Sequence, residues 1–209
     1  MKIERYPAGL SLAEYLAIEQ ELVKSVTEPT LFTWIAPPTV IYGHHQTAAA
    51  ELNEVFCQTH GIAVVQRKSG GGCVYADRGN LMISYISPST KSESVFAHVL
   101  AMLAEALQSI GLPAVTTVHN DILIDGRKVS GWACFRAPTG TIVHGTMLFD
   151  VDIETMMKAI TPSSQKLTKH GVASVRQRVV NIRELTDRFV SIEALQSYVT
   201  EYLAARTDD

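Results

Sequence analysis

Asp125-Gly126 separates two short runs of β-forming residues, 121–124 and 128–134. Asp-Gly supplies two adjacent residues that tolerate positive φ, and a two-residue hairpin turn needs both, so the flanking runs pair antiparallel. The strand pattern extends from Val115 to Asp150 and breaks again around Pro138 to Gly140. Strands joined by connections this short cannot lie parallel, because a parallel pair needs a crossover of a dozen residues or more. A mixed, largely antiparallel sheet is therefore expected at the centre of the chain.

The flanks are helical and strand-like in turn. Leu12, Leu16, Glu19, Val23 and Val26 recur at helical spacing behind Ser11, a good N-cap. Residues 94–110 repeat the pattern with Val95, Val99, Met102, Leu103, Ala106, Leu107 and Ile110, and Gly111 ends it. Residues 2–6, 31–35, 39–42, 62–66 and 81–86 read as strands, and 50–59, 152–160 and 192–205 as helices. With 209 residues, no repeat and no linker, one α+β domain over 1–209 is the expectation.

Composition narrows the function. Apolar residues make up 46% and charged residues 19%, enough for a core and too little charge for a disordered chain. A net charge of −3 argues against a nucleic-acid binder working through bulk positive charge. No apolar run is long enough for a membrane span, and Met1 to Pro7 lacks a signal-peptide core. Cys57, Cys73 and Cys134 are odd in number and scattered, which suits reduced thiols and a cytoplasmic location.

Three stretches carry chemistry. In Arg67-Lys68-Ser69-Gly70-Gly71-Gly72-Cys73-Val74-Tyr75, glycines after a strand let backbone N–H groups approach an anion, or else form a plain tight turn. The spacing matches neither the common P-loop nor the dinucleotide fingerprint. Lys128 follows the hairpin turn on a strand expected to face the core. A substrate carboxylate or phosphate would partner it there; the alternative is a lysine pointing to solvent. Ser130-Gly131 keeps bulk low beside it. His144-Gly145 inside a strand suggests a bulge or a close approach, with a hydrogen-bonded structural histidine as the plainer reading.

Together these stretches resemble the catalytic domain of lipoate–protein ligases, within the biotin/lipoate protein ligase superfamily. The matching pieces are Arg67 to Tyr75 with Asp77 and Gly79-Asn80, then Asn120-Asp121, Gly126 to Gly131, and His144-Gly145-Thr146. A further piece, from Lys166-Leu167 through Gly171 to Asn181, is similar to the segment that follows the core of these ligases. The resemblance implies the biotin/lipoate ligase-like fold and a two-step reaction. Lipoate and ATP, with Mg²⁺, give lipoyl-adenylate, which then acylates a carrier-domain lysine. It implies that Lys128 bridges carboxylate and α-phosphate. Arg67, Gly70, Gly71, Gly72, Cys73, Val74, Tyr75, Asn80, Asn120 and Asp121 would hold the nucleotide, with Asp121 a candidate Mg²⁺ ligand. Val74, Gly131, His144 and Gly145 would line the lipoyl slot. The implied partners are acyltransferase subunits of 2-oxoacid dehydrogenases and the glycine cleavage H protein, with no nucleic acid or membrane.

The chain departs from the family pattern at two places. Ala76-Asp77 stands where a His-Asp pair is usual, and Gly43-His44-His45-Gln46 where Gly-Arg is. The accessory domain of long ligases is expected to be absent, so activation would need a separate accessory protein, proceed alone, or be missing. Two alternatives stay open: a cysteine-dependent octanoyl or lipoyl transferase of the same superfamily, and a lipoyl-binding module without catalysis.

Overall fold

The computed structural model describes residues 1–118, 120–160 and 178–206. Most of the ligase-like segment, 166–177, lies outside them. The strands β1 (Lys2–Ile3), β2 (Thr30–Trp34), β6 (Asn80–Ser87), β7 (Ala114–Thr116), β8 (Asp121–Ile124), β9 (Arg127–Ala137) and β10 (Gly140–Leu148) form one sheet in the order β1-β2-β6-β10-β9-β8-β7. Only the β1/β2 pair is parallel; every other neighbour is antiparallel. A smaller sheet runs β4 (Ala63–Gln66), β3 (Thr39–Tyr42), β5 (Val74–Ala76). Among the described residues the helices are α1 (Leu12–Ser25), α2 (Ala48–Glu51), α3 (Glu54–Thr59), α4 (Ser92–Gln108), α5 (Ile153–Ala159) and α6 (Ile192–Ala204), with a short 3₁₀ turn at Ile182–Glu184.

The large sheet is buried on both faces. Leu31, Leu81, Ile83, Tyr85, Val143 and Met147 point to one side and pack under α4 and α6. Phe32, Trp34, Met82, Ile86 and Ile142 point to the other and pack under α1. This is the period-two alternation of a strand, with both sides apolar because both are covered. α1 begins in a capping box: Ser11 Oγ accepts from Glu14 N–H, and the Glu14 carboxylate accepts from Ser11 N–H at 2.7 Å. A cap of this kind is worth about 1 kcal/mol.

The hairpin forms as expected: Asp125 and Gly126 have φ of 49° and 74°, and β8 pairs with β9 across them. Three expectations need correcting. The first strand covers two residues, not five. The helix read over 50–59 is two short helices, because Leu52 turns extended to bridge Ile160 and Asn53 then caps α3. Val74 and Tyr75, read as the end of the glycine stretch, begin a strand that runs to Ala76 and pairs with β3.

Candidate active site

A β-bulge positions Lys128. Leu123 pairs with Lys128 and Ile122 with Ser130, so Val129 is an extra residue on β9 without an opposite number. In a regular strand Lys128 would share the face of Ser130 and Trp132, the face that packs under α4. The bulge carries it over to the face of Gly131. Lys128 then lies across Gly131: a Cβ built there would come 2.8 Å from Nζ and 2.9 Å from Cε. Only glycine leaves that room. The ammonium meets Asp121 Oδ1 at 2.8 Å. The anionic partner that a substrate carboxylate or phosphate was expected to supply is already present in the protein: Asp121 pairs with Lys128 from the neighbouring strand, at the rim of a cavity.

That cavity, of about 240 Å³, has a floor made by the sheet itself. Asp121, Gly131, Thr146, Met82 and Trp34 are successive cross-strand partners and form one row across five strands. Ala133, His144, Ser84 and Phe32 form the next row on the same face. Two residues of strand separate the rows by about 7 Å. Leu12, Leu16 and Glu19 of α1 close the roof, and Ile41, Gly71, Gly72, Cys73 and Val74 form the side wall. The lining is polar at the Lys128 end, apolar along Trp34, Met82 and Val74, and polar again at His144.

The glycine loop is folded around Arg67. This residue is 6% exposed, and its guanidinium donates to the carbonyls of Gly70 at 2.8 and 3.2 Å, Gly72 at 2.7 Å and Ile41 at 3.4 Å. Burial lowers its pKa. Arg67 thus holds the loop in shape, a different task from the direct phosphate contact expected of it. Gly71 has φ of 93°, and a side chain on it would meet the same guanidinium. His44, from the departing Gly-His segment, is exposed; its backbone N–H donates to Ser69 O, and Gln66 Nε2 donates to its carbonyl.

At the far end stands a buried polar chain. Glu19, 1% exposed, accepts from His144 Nδ1 at 2.7 Å and from Ser84 Oγ at 2.6 Å. A carboxylate facing Nδ1 keeps a proton there, and the other ring nitrogen, Nε2, is hydrogen-bonded with Ser69 Oγ at 2.7 Å. Trp34 Nε1 donates to Ser84 Oγ and ties the chain to the cavity floor.

Of the residues expected from sequence, Arg67, Gly71, Gly72, Cys73, Val74, Asn120, Asp121, Lys128, Gly131, His144 and Gly145 line this one cavity. Gly70, Tyr75 and Asn80 do not. Asn80 is fully buried, donating to Thr146 Oγ1 and accepting from Asp77 N–H, which fixes the turn before β6. Tyr75 points the opposite way from Val74, into the core between the small sheet and α5, where burial raises its pKa. Asn120 has φ of 67°, a conformation that asparagine tolerates better than most residues, at the entrance to β8. Trp34, Met82 and Glu19 were not anticipated. Only Glu19 left a signal, as a carboxylate on the apolar face of α1. Cys73 and Cys134 have thiol pKa values pushed up by burial to about 12 and about 11, so neither is a ready thiolate.

The chain is 35% identical over 199 residues to lipoate-protein ligase LplJ of Bacillus subtilis, covering 92% of this chain and 59% of that protein. It covers 52% to 60% of the first three curated relatives, so it spans rather more than half of their length. Among solved structures it superposes on a Thermoplasma acidophilum protein described as a bipartite lipoate protein ligase, with TM-score 0.87 at 24% identity, covering 99% of this chain and 86% of that one. It also superposes on a lipoate-protein ligase A bound with ATP, with TM-score 0.83 at 23% identity, covering 99% and 87%. At such identities the two structures establish a shared fold. Residues 11–204 match the family profile of the lipoyl protein ligase A/B catalytic domain, and the chain belongs to that family.

Proposed function

We propose that this chain is the catalytic part of a lipoate–protein ligase. The observation that carries the proposal is Lys128, set over Gly131 beside Asp121 at the mouth of a slot whose middle is walled by Trp34, Met82 and Val74. A carboxylate headgroup meets the ammonium while its alkyl chain lies along Trp34, Met82 and Val74. In the first step a carboxylate oxygen attacks the α-phosphorus of ATP and pyrophosphate leaves. In the second the carrier lysine amine attacks the acyl carbon, and AMP leaves with the electrons of the broken C–O bond. Lys128 acts on both by stabilising charge at the bridging oxygens. The Gly71-Gly72 backbone, shaped by Arg67, is suited to phosphate oxygens.

Mg²⁺ fits as a companion of the nucleotide. Among the described residues no group of three or more His, Cys, Asp or Glu side chains is placed to hold a metal. One carboxylate such as Asp121, with phosphate oxygens and water, is the usual Mg²⁺ arrangement, and the ion would help neutralise phosphate charge. The partners proposed are lipoyl carrier domains, namely acyltransferase subunits of 2-oxoacid dehydrogenases and the glycine cleavage H protein. The Thermoplasma structure is described together with its E2 lipoyl domain, and its bipartite description supports a separate accessory protein for activation. A cytoplasmic location is proposed from three unpaired cysteines. Among the described residues no helix is long and apolar enough to cross a membrane.

The test is incubation with lipoate, Mg²⁺-ATP and an apo carrier domain, followed by mass spectrometry of the carrier. A parallel run uses pre-made lipoyl-adenylate. Lipoylation in the second run is expected from the catalytic part alone; lipoylation in the first requires the activation step as well. A carrier that stays unmodified in both runs refutes the proposal.

A further inference from the structure

Thr146 stands in the floor row between Gly131 and Met82, and it lines the cavity at the Lys128 end. Asp121 and Thr146 are the two cross-strand partners of Gly131, one on each side. Such partners lie about 4.5–5.5 Å apart at Cα. The Lys128 ammonium, which lies over Gly131, and the Thr146 side chain therefore border one small space. The reaction proposed above leaves Thr146 without a task.

The direction of its hydroxyl is set from behind. Asn80 Oδ1 accepts from Asp77 N–H at 2.9 Å, so Nδ2 is the atom that faces Thr146 Oγ1, at 2.7 Å. An amide nitrogen only donates, so Oγ1 accepts and must point its own proton elsewhere. Among the described residues no group accepts that proton. Asn80 is 0% exposed and Thr146 5%, so neither turns to water instead. The backbone is held as well, since Ser130 Oγ donates to the Thr146 carbonyl at 2.8 Å. The result is a preorganised donor in a wall of the cavity, across from the ammonium.

We infer that Thr146 is a second catalytic residue of the transfer step, its Oγ–H donating to the acyl carbonyl oxygen, and that Asn80 is the positioning residue that aims it. The inference rests on the acyl-slot reading of the cavity. As the carrier amine bonds to the acyl carbon, the carbonyl π electrons move onto oxygen, and the Thr146 proton stabilises that charge. When the C=O bond re-forms, the bond to AMP breaks and its electrons leave with AMP beside Lys128. The surplus proton on nitrogen passes to water at the mouth. Lys128 and Thr146 thus serve two different oxygens from two sides.

The experiment measures single-turnover transfer from pre-made lipoyl-adenylate to an apo carrier domain, together with calorimetric binding of the adenylate. Thr146→Val keeps the shape and removes the hydroxyl. It is expected to slow transfer about a hundredfold, the loss typical of one oxyanion donor. Adenylate affinity should hardly move, because the contact strengthens only as charge develops. Thr146→Ser should restore most of the rate. Asn80→Asp keeps an acceptor for Asp77 N–H, but its carboxylate takes the Thr146 proton. It should slow transfer in otherwise wild-type protein and add nothing to Thr146→Val. Thr146→Cys, with similar bulk and a weak donor, serves if the valine variant does not fold. An unchanged transfer rate in a folded variant overturns the inference. So does a loss that appears wholly as weaker adenylate binding, or a serine variant as slow as the valine one. Additive losses from Asn80→Asp and Thr146→Val overturn the role given to Asn80. Wild-type protein that transfers nothing refutes the acyl-slot reading and this inference with it; active wild-type protein beside an equally active Thr146→Val refutes the inference alone.

Discussion

Arg67 shows how a residue's neighbours decide its task. On the sequence it stands beside a glycine run, where a positive charge reads as a phosphate ligand. In the fold its donors are committed to the carbonyls of Gly70, Gly72 and Ile41. A lysine has no planar fork to serve three carbonyls at once. Arg67→Lys should therefore lose about 1–3 kcal/mol of stability, the cost of leaving a buried polar group unpaired. Urea unfolding checks this: the midpoint falls with an unchanged slope, and an unmoved midpoint would show that the loop does not depend on the fork. The cysteines are decided the same way. A thiol pKa raised to about 12 at Cys73 and about 11 at Cys134 leaves little thiolate at neutral pH, and reactivity rises only as pH climbs toward those values. Changing Cys57, Cys73 and Cys134 together to Ser should leave carrier acylation largely intact. Iodoacetamide at neutral pH should label the native thiols more slowly than a free cysteine. A thioester-linked acyl group on either thiol would favour the transferase alternative instead.

At the scale of the element, the bulge in β9 carries the chemistry. The hairpin that precedes it is legible in Asp125-Gly126, because the turn demands those residue types. The bulge is not legible, because Val129 is an apolar residue that any strand could hold; only pairing with β8 reveals it as extra. The consequence is local and testable. Gly131→Ala places a methyl group where Lys128 Nζ and Cε now lie, within 3 Å of both. The atoms in the way are the free end of a flexible side chain, so the strand can keep its place while the ammonium shifts. Stability should change little. Carrier acylation should fall about a hundredfold, the usual cost of an ångström's misplacement of a reacting group. Unfolding and acylation measured on one preparation separate the two, and full activity would show that the lysine does not act from this position.

At the scale of the molecule, the cavity is a product of register. Asp121, Gly131, Thr146, Met82 and Trp34 are far apart in sequence and meet because five strands align them in one row. Segments with their own composition, such as the glycine run and Gly-Arg-Lys, could be read before the fold was seen. Trp34 and Met82 could not, since an apolar residue on a strand looks the same whether it faces a ligand or a helix. Glu19 lies between: its place on the apolar face of α1 was visible, but its partner His144 is 125 residues away and only tertiary structure joins them. Lys128 meets Asp121 at one end of the row, and the account stands on that lysine. The most direct test is acylation of an apo carrier domain from pre-made lipoyl-adenylate, run side by side with wild-type protein and Lys128→Ala. Asp121 is left partly exposed when Lys128 is removed, so solvent can take the carboxylate and the fold is retained. The variant should modify the carrier lysine about 10²–10³ times more slowly, the loss expected for one preorganised electrostatic donor. Equal rates from two well-folded proteins would contradict the assignment of Lys128.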